Sequence, residues 1–122
     1  MGVQSQFKNR GEAFIKASKT SGLNPIYIFA HAALESGWGN SYMATNRHNY
    51  FGINCVDTNP NAGYTMGDCM EEGLINGAVW ISENFYNNGY TTLQSMKDGN
   101  YATDPQWAYK ISSVMNKSIQ AL

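Results

Sequence analysis

The segment HAALESGWGNS, residues 31–41, constrains this chain more than any other, because it ends an apolar helical run on a carboxylate and then stops the helix. Asn24 can accept from the N–H groups that open a helix, and Pro25 fits the first helical position, where no donor is needed. Ile28, Ala32 and Glu35 then share one face at i, i+4 and i+7. Gly37 and Gly39 end the run within one turn of Glu35, and Trp38 between them offers a flat apolar surface. A carboxylate among Ile and Ala is costly to bury as an ion, so its proton affinity is expected to rise, which is how a general acid is made. The competing reading is a solvated Glu at a helix end.

At 122 residues the chain suits a single domain, 1–122, which should bury about two thirds of the surface exposed when unfolded. Eight basic residues face nine acidic ones, which leaves no electrostatic footprint for nucleic acid or an anionic membrane, so the expected partners are neutral or polar. Eight Tyr and three Trp suit sugar binding through ring faces, and equally suit an ordinary core with a polar rim. No apolar stretch reaches the roughly 18 residues of a membrane span. The first residues lack the apolar core of a secretory signal. The expectation is a domain taken from a longer secreted protein, or a chain that reaches its target without a signal.

A bridge between Cys55 and Cys69 would contribute about 3 kcal/mol by closing its loop, and two free thiols fit the sequence equally well. These cysteines with His31 and His48 show neither CxxC nor HExxH spacing, so no metal and no cofactor are expected. His31, one turn before Glu35, reads as a satisfied polar group inside a helix bundle, and His48 as a surface residue.

Along the chain, residues 4–21 read as a first helix and Pro25 to about Ser36 as a second. From Gly37 to Cys69 the sequence is dense in Asn, Gly and Tyr, lacks a helical period and holds short β-like pieces such as Tyr50–Val56. Leu74, Ala78, Ile81 and Phe85 restore the helical spacing, and Gly73 and Gly77 on that helix invite close approach of another helix. A short helix is expected over Thr91–Lys97. Asp104 and Pro105 supply the cap and first position of a last helix running to about Gln120. The architecture predicted is α+β and mostly helical: a helical lobe (1–36 and 70–122) and a small irregular β-containing lobe (37–69), with Glu35 at the seam. A cleft there could admit an extended sugar chain.

The motifs AHAALESGWGNS, NYFGI with VDTNP behind it, LINGAVWISENF, and TTLQSM with YATDPQWAYKI, in this order, resemble the peptidoglycan N-acetylglucosaminidases of glycoside hydrolase family 73, as found in autolysins and phage lysins. The resemblance runs from Leu23 to Ile111. It implies a lysozyme-like fold, hydrolysis of the β-1,4 bond after N-acetylglucosamine, a likeness of Glu35 to the family's catalytic Glu, and a likeness of Tyr101 to its functional Tyr. It also implies a cleft lined by Asn49, Tyr50, Phe51, Gly52 and Ile53. The implied partner is the glycan strand of the cell wall. The implied setting is the wall itself, or a phage-encoded product made in the host cytoplasm. A monomer is expected, as part of a longer chain with a wall-binding domain. The stretch after NYFGI is short for the family, and the second Glu that some branches carry in a Thr-x-Glu pattern is missing.

Asp57, Asp68, Glu71 and Glu72 are the nearby carboxylates. Asp57 is preferred as the second catalytic group because VDTNP resembles a family motif, while the same residues read equally as an Asx-type turn. Trp38 is expected to stack on sugar or to desolvate the acid. Tyr64 helps to hem the cleft, and Asp104 is counted with the substrate-binding residues. Tyr50 and Phe51 cannot both face the cleft if the stretch is a strand, since neighbours alternate. A muramidase, a lytic transglycosylase and a catalytically dead wall-binding module are the alternative readings.

Overall fold

The computed structural model describes residues 7, 10–53, 64–89, 91–98 and 105–120. The elements are α1 (Gly11–Ser21), α2 (Pro25–Glu35), α3 (Tyr42–Arg47), α4 (Met70–Asn84), a 3-10 turn (Tyr86–Asn88), α5 (Leu93–Asp98) and α6 (Trp107–Gln120). Helix α2 begins as its sequence dictates: the Asn24 side chain accepts from the N–H groups of Ile26 and Tyr27, and Pro25 follows it. Helix α1 closes on Gly22 at φ +80°, whose N–H donates to the Ser18 carbonyl.

Two seams hold the helices together. Along one, α1 packs on α4; along the other, α2 packs on α6, and α1 also contacts α2. Ile28, Leu74, Ile81 and Ile111 are fully buried, each stabilising by roughly 1.5–3 kcal/mol. Beside them runs a chain of rings: Phe7 meets Phe14 edge-on at 5.2 Å, Phe14 meets Phe29 at 5.3 Å, and Phe29 meets Trp38 at 5.9 Å. At the far end of the α1–α4 seam, the Ser82 hydroxyl donates to the Ser21 carbonyl at 2.9 Å.

Four sequence expectations are corrected. The first helix starts at Gly11, not at residue 4, because Phe7 lies in a turn that closes through Arg10 N–H to its carbonyl. The stretch after Gly39 does contain a helix: Ser41 caps α3 by accepting from Ala44 N–H, and six residues are too few to display a period. The short helix begins at Leu93, capped by Thr92, whose hydroxyl accepts from Ser95 N–H. The last helix begins at Trp107, with Pro105 and Gln106 in the preceding turn.

Among the described residues there is no strand, and the molecule is mostly helical. Of the β-like piece Tyr50–Val56, residues 50–53 form a bend and turn and not a strand, and residues 54–63 lie outside the described residues. The residues on either side are joined by a bond from Tyr64 N–H to the Ile53 carbonyl. Gly73 and Gly77 do permit close approach, but to a loop. A Cβ on Gly77 would overlap the Phe51 ring, and one on Gly73 would overlap the His48 carbonyl. Residues 48–53 are thereby pressed onto α4, next to the end of α2.

Candidate active site

Glu35 is the last residue of α2. The backbone leaves the helix through three consecutive left-handed residues, Gly37 (φ +57°), Trp38 (φ +60°) and Gly39 (φ +86°). For Trp38 this conformation costs roughly 1–2 kcal/mol, so its neighbours must hold it. The buried Ser36 does so: its hydroxyl donates to the Ala32 carbonyl and accepts from Gly39 N–H at 2.9 Å. Trp38 N–H reaches back to the Ala33 carbonyl at 2.9 Å, and Ser41 N–H to that of Ser36 at 2.9 Å. The carboxylate is therefore fixed at a rigid helix end and not on a free tether.

Its two oxygens meet different surroundings. Oε1 accepts from the indole Nε1–H of Trp107 at 2.9 Å. Oε2 faces Gly52, where a Cβ would lie 3.0 Å away. Gly52 has φ +67°, so both backbone conformation and space require glycine there. The conformation of Gly52 follows from Asn49. The Asn49 side chain, 1 % exposed, accepts from Ile53 N–H at 3.0 Å and donates to the carbonyls of Ile53 at 2.8 Å and Tyr64 at 3.0 Å.

Behind Glu35 lies a buried polar column. Tyr27 OH pairs with His31 Nδ1 at 2.8 Å, and the His31 ring stands edge-on to Phe51 and to Trp107, each at 5.3 Å. Burial pushes the His31 pKa down to about 3, so the imidazole is neutral across the working range of most enzymes. Burial of the Tyr27 hydroxyl pushes its pKa up, and the charge of Glu35 pushes it further.

The structure sorts the residues expected at the site. Glu35 and Gly52 are brought together. Asn49, Tyr50 and Phe51 are buried: Asn49 is spent on backbone bonds, Tyr50 packs at a tilt against Phe7 at 5.5 Å, and Phe51 sits on Gly77. They build the floor under Gly52, and their side chains do not present a surface. Trp38 is partly exposed and Tyr64 is exposed. Glu71 pairs with Lys16 at 3.1 Å, and Glu72 accepts from Asp68 N–H at 2.9 Å. Cys69 is an exposed free thiol. Asp57, Tyr101, Asp104 and Cys55 lie outside the described residues. The residue that sequence reasoning missed is Trp107, which shares the i, i+4, i+7 spacing of α6 with Ile111 and Val114. Its period marks it as buried, and no local pattern says where its N–H will point.

Known proteins share this chain's sequence and fold. A glucosaminidase family model, described as mannosyl-glycoprotein endo-beta-N-acetylglucosaminidase, matches residues 11–120. The chain is 39 % identical over 116 residues to a Streptococcus pneumoniae protein provisionally named an endo-beta-N-acetylglucosaminidase, which covers 93 % of this chain and 18 % of that one. It is 31 % identical over 132 residues to a bifunctional autolysin of Staphylococcus aureus, covering 83 % of this chain and 10 % of that one. The chain thus spans only a small part of the length of these curated relatives. A solved structure of a catalytic Glu-to-Ala mutant of S. aureus autolysin E, in complex with the disaccharide NAG-NAM, superposes with a TM-score of 0.83 at 27 % identity. That match covers 98 % of this chain and 63 % of the other.

Proposed function

The chain belongs to the glucosaminidase family, glycoside hydrolase family 73, and from that premise we propose that it hydrolyses the β-1,4 bond after N-acetylglucosamine in bacterial peptidoglycan, with Glu35 as general acid. The observation that carries the role of Glu35 is its setting. It is fixed at the end of an apolar helix, bonded to a neutral donor at one oxygen and packed against Gly52 at the other. Glu71 and Glu72, by contrast, are tied to a lysine and to a backbone N–H.

In this reaction the carboxyl proton of Glu35 passes to the glycosidic oxygen as the bond from that oxygen to the anomeric carbon breaks, and the leaving sugar departs as a neutral alcohol. The oxygen of the 2-acetamido group of the same N-acetylglucosamine captures the anomeric carbon. Water then opens this ring, giving its proton to the Glu35 carboxylate and restoring the acid. Tyr101 or Asp57 orients the acetamido group, and Trp38 and Tyr64 offer ring faces to the sugars. The rival route is direct attack by water, activated by Asp57, Glu71 or Glu72, with inversion. NMR of the first-formed product anomer separates the two: retention supports the acetamido route, and inversion removes it.

The enzyme acts on glycan strands of the cell wall, as one catalytic domain of a longer chain. Among the described residues no helix is long and apolar enough to cross a membrane. The division we propose within that domain is a helical lobe, 1–36 and 70–122, and a smaller lobe, 37–69. Borohydride reduction and mass spectrometry of digested wall test the bond assignment. The expected new reducing ends are N-acetylglucosamine. Reduced muramic acid would make it a muramidase, 1,6-anhydromuramic acid a lytic transglycosylase, and binding without new reducing ends a wall-binding module.

A further inference from the structure

We infer that Asn49 is a positioning residue that couples the acid to the sugar-binding edge of the cleft: one buried carboxamide holds the backbone beside Gly52, which packs on Glu35, and also the backbone of Tyr64. The inference rests on the proposed roles of Glu35 as acid and of Tyr64 as a ring face for sugar. Asn49 is 1 % exposed, so it does not itself meet a substrate. Its Oδ1 accepts from Ile53 N–H at 3.0 Å, and its Nδ2 donates to the carbonyls of Ile53 at 2.8 Å and Tyr64 at 3.0 Å. One acceptor and two donors on a single planar group are what a carboxamide offers. Aspartate has no proton to give the two carbonyls, serine has one, and glutamine is a methylene too long for the same three partners.

Each partner leads to a different part of the cleft. Ile53 follows Gly52, which at φ +67° packs so closely on the Glu35 carboxyl group that a Cβ would lie 3.0 Å from Oε2. By holding both the N–H and the carbonyl of Ile53, Asn49 fixes the path by which the chain leaves Gly52. Tyr64, half exposed, lies beside that path: its N–H donates to the Ile53 carbonyl at 3.2 Å, and its own carbonyl accepts from Asn49. The next residues are anchored by other groups. Met66 N–H donates to the Arg47 carbonyl at 2.8 Å, the Asn76 side chain on α4 donates to the Met66 carbonyl at 2.6 Å, and His48 Nδ1 pairs with the Gly67 carbonyl at 3.0 Å. Loss of the Asn49 donors therefore releases Ile53 and Tyr64 while Met66 and Gly67 stay docked. The disturbance is local, and it reaches the acid and the sugar edge together.

Two measurements on the whole chain test the coupling. The first is amide hydrogen exchange of the wild-type protein, which needs neither a variant nor activity. The N–H groups of Ile53 and Tyr64 are expected to open as one unit, with protection factors within about fivefold of each other. A wider gap between the two overturns the clamp.

In the second, Asn49→Asp keeps the size and the acceptor and removes the donors. With soluble peptidoglycan fragments, kcat is expected to fall about tenfold and KM to rise roughly threefold. In the Tyr64→Ala background the same change is expected to lower kcat as before and to raise KM no further. A simple loss of folded protein would lower kcat and leave KM where it was, so the KM arm separates positioning from instability. An unchanged kcat, or an equal rise of KM in both backgrounds, overturns the coupling. If Asn49→Asp fails to fold, Asn49→Ser, which keeps one donor, takes its place in the same cycle. Should Glu35→Gln keep full activity, the proposed function fails, and common opening of the two amides still establishes the clamp.

Discussion

The two helix seams each contain a carboxylate, and the contrast between them shows what makes a carboxylate useful. On the α1–α4 seam, Glu71 meets Lys16 at 3.1 Å, with side chains 45 % and 57 % exposed. With a cation beside it and water around it, such a group is spent on a surface ion pair. On the α2–α6 seam, Glu35 meets Trp107, a neutral donor, next to the buried Ala32, His31 and Phe51. A neutral partner can orient a carboxyl group without committing it to one charge state, which a proton donor and acceptor requires.

Breaking the useful seam should have the largest effect. Glu35→Gln retains size and polarity but has no proton to transfer, and loss of a general acid is worth roughly 10²- to 10⁴-fold. Wall-lytic activity below a few per cent of wild type is expected, with an unchanged circular dichroism spectrum. A folded variant that keeps substantial activity would remove Glu35 from its role.

Gly52→Ala probes the other side of the acid. It forces a left-handed alanine, at roughly 1 kcal/mol, and sets a methyl group 3.0 Å from Oε2. Activity should fall by at least about tenfold while wall binding in a pull-down persists. Equal loss of binding and activity would mean that the loop has simply collapsed.

Gly77→Ala strikes the support beneath both. Alanine favours a helix by about 1 kcal/mol over glycine, but here its methyl would overlap the Phe51 ring. Overpacking of this kind typically costs about 1–3 kcal/mol. A net destabilisation in urea melts is expected, and a stabilised protein would show that the seam is loose. Helix propensity alone gives the opposite sign.

A gentler probe of the α2–α6 seam is pH. His31 binds its proton only near pH 3 when folded and near pH 6.5 when unfolded. Between these values the unfolded state holds more protons, so stability falls as pH drops, at up to about 1.4 kcal/mol per pH unit. His31→Gln should be less stable at neutral pH yet lose less on acidification from about pH 6.5 to about pH 4.5. Parallel curves for the two proteins would mean that His31 is not held neutral.

The smallest effect belongs to the exposed seam. Lys16→Met should change stability by no more than about 0.5 kcal/mol and leave lytic activity within twofold. A large loss would show that the Lys16–Glu71 pair takes part in the wall-degrading reaction.

Much of the site is legible in the order of the residues, and the reason is range. Asn24, Pro25, the apolar stripe, Glu35 and the two following glycines act on one another within a helical turn or two, so their identities suffice to cap α2, end it, and leave a carboxylate at its tip. What depends on contact between distant segments is not legible there. Trp107 comes to Glu35 from 72 residues away, and periodicity marks a buried indole without saying which acceptor it will find. Asn49 looks like a polar residue for binding sugar. Only the folded loop turns it inward to hold Ile53 and Tyr64. Gly73 and Gly77 announce a close approach, but whether a helix, a carbonyl or a ring fills the space is decided by what the core leaves against them. Local sequence thus specifies the acid, because a helix end is made from neighbouring residues. Tertiary structure decides how the acid is held and which way it faces, because a donor at a helix seam is supplied by whichever distant segment packs there.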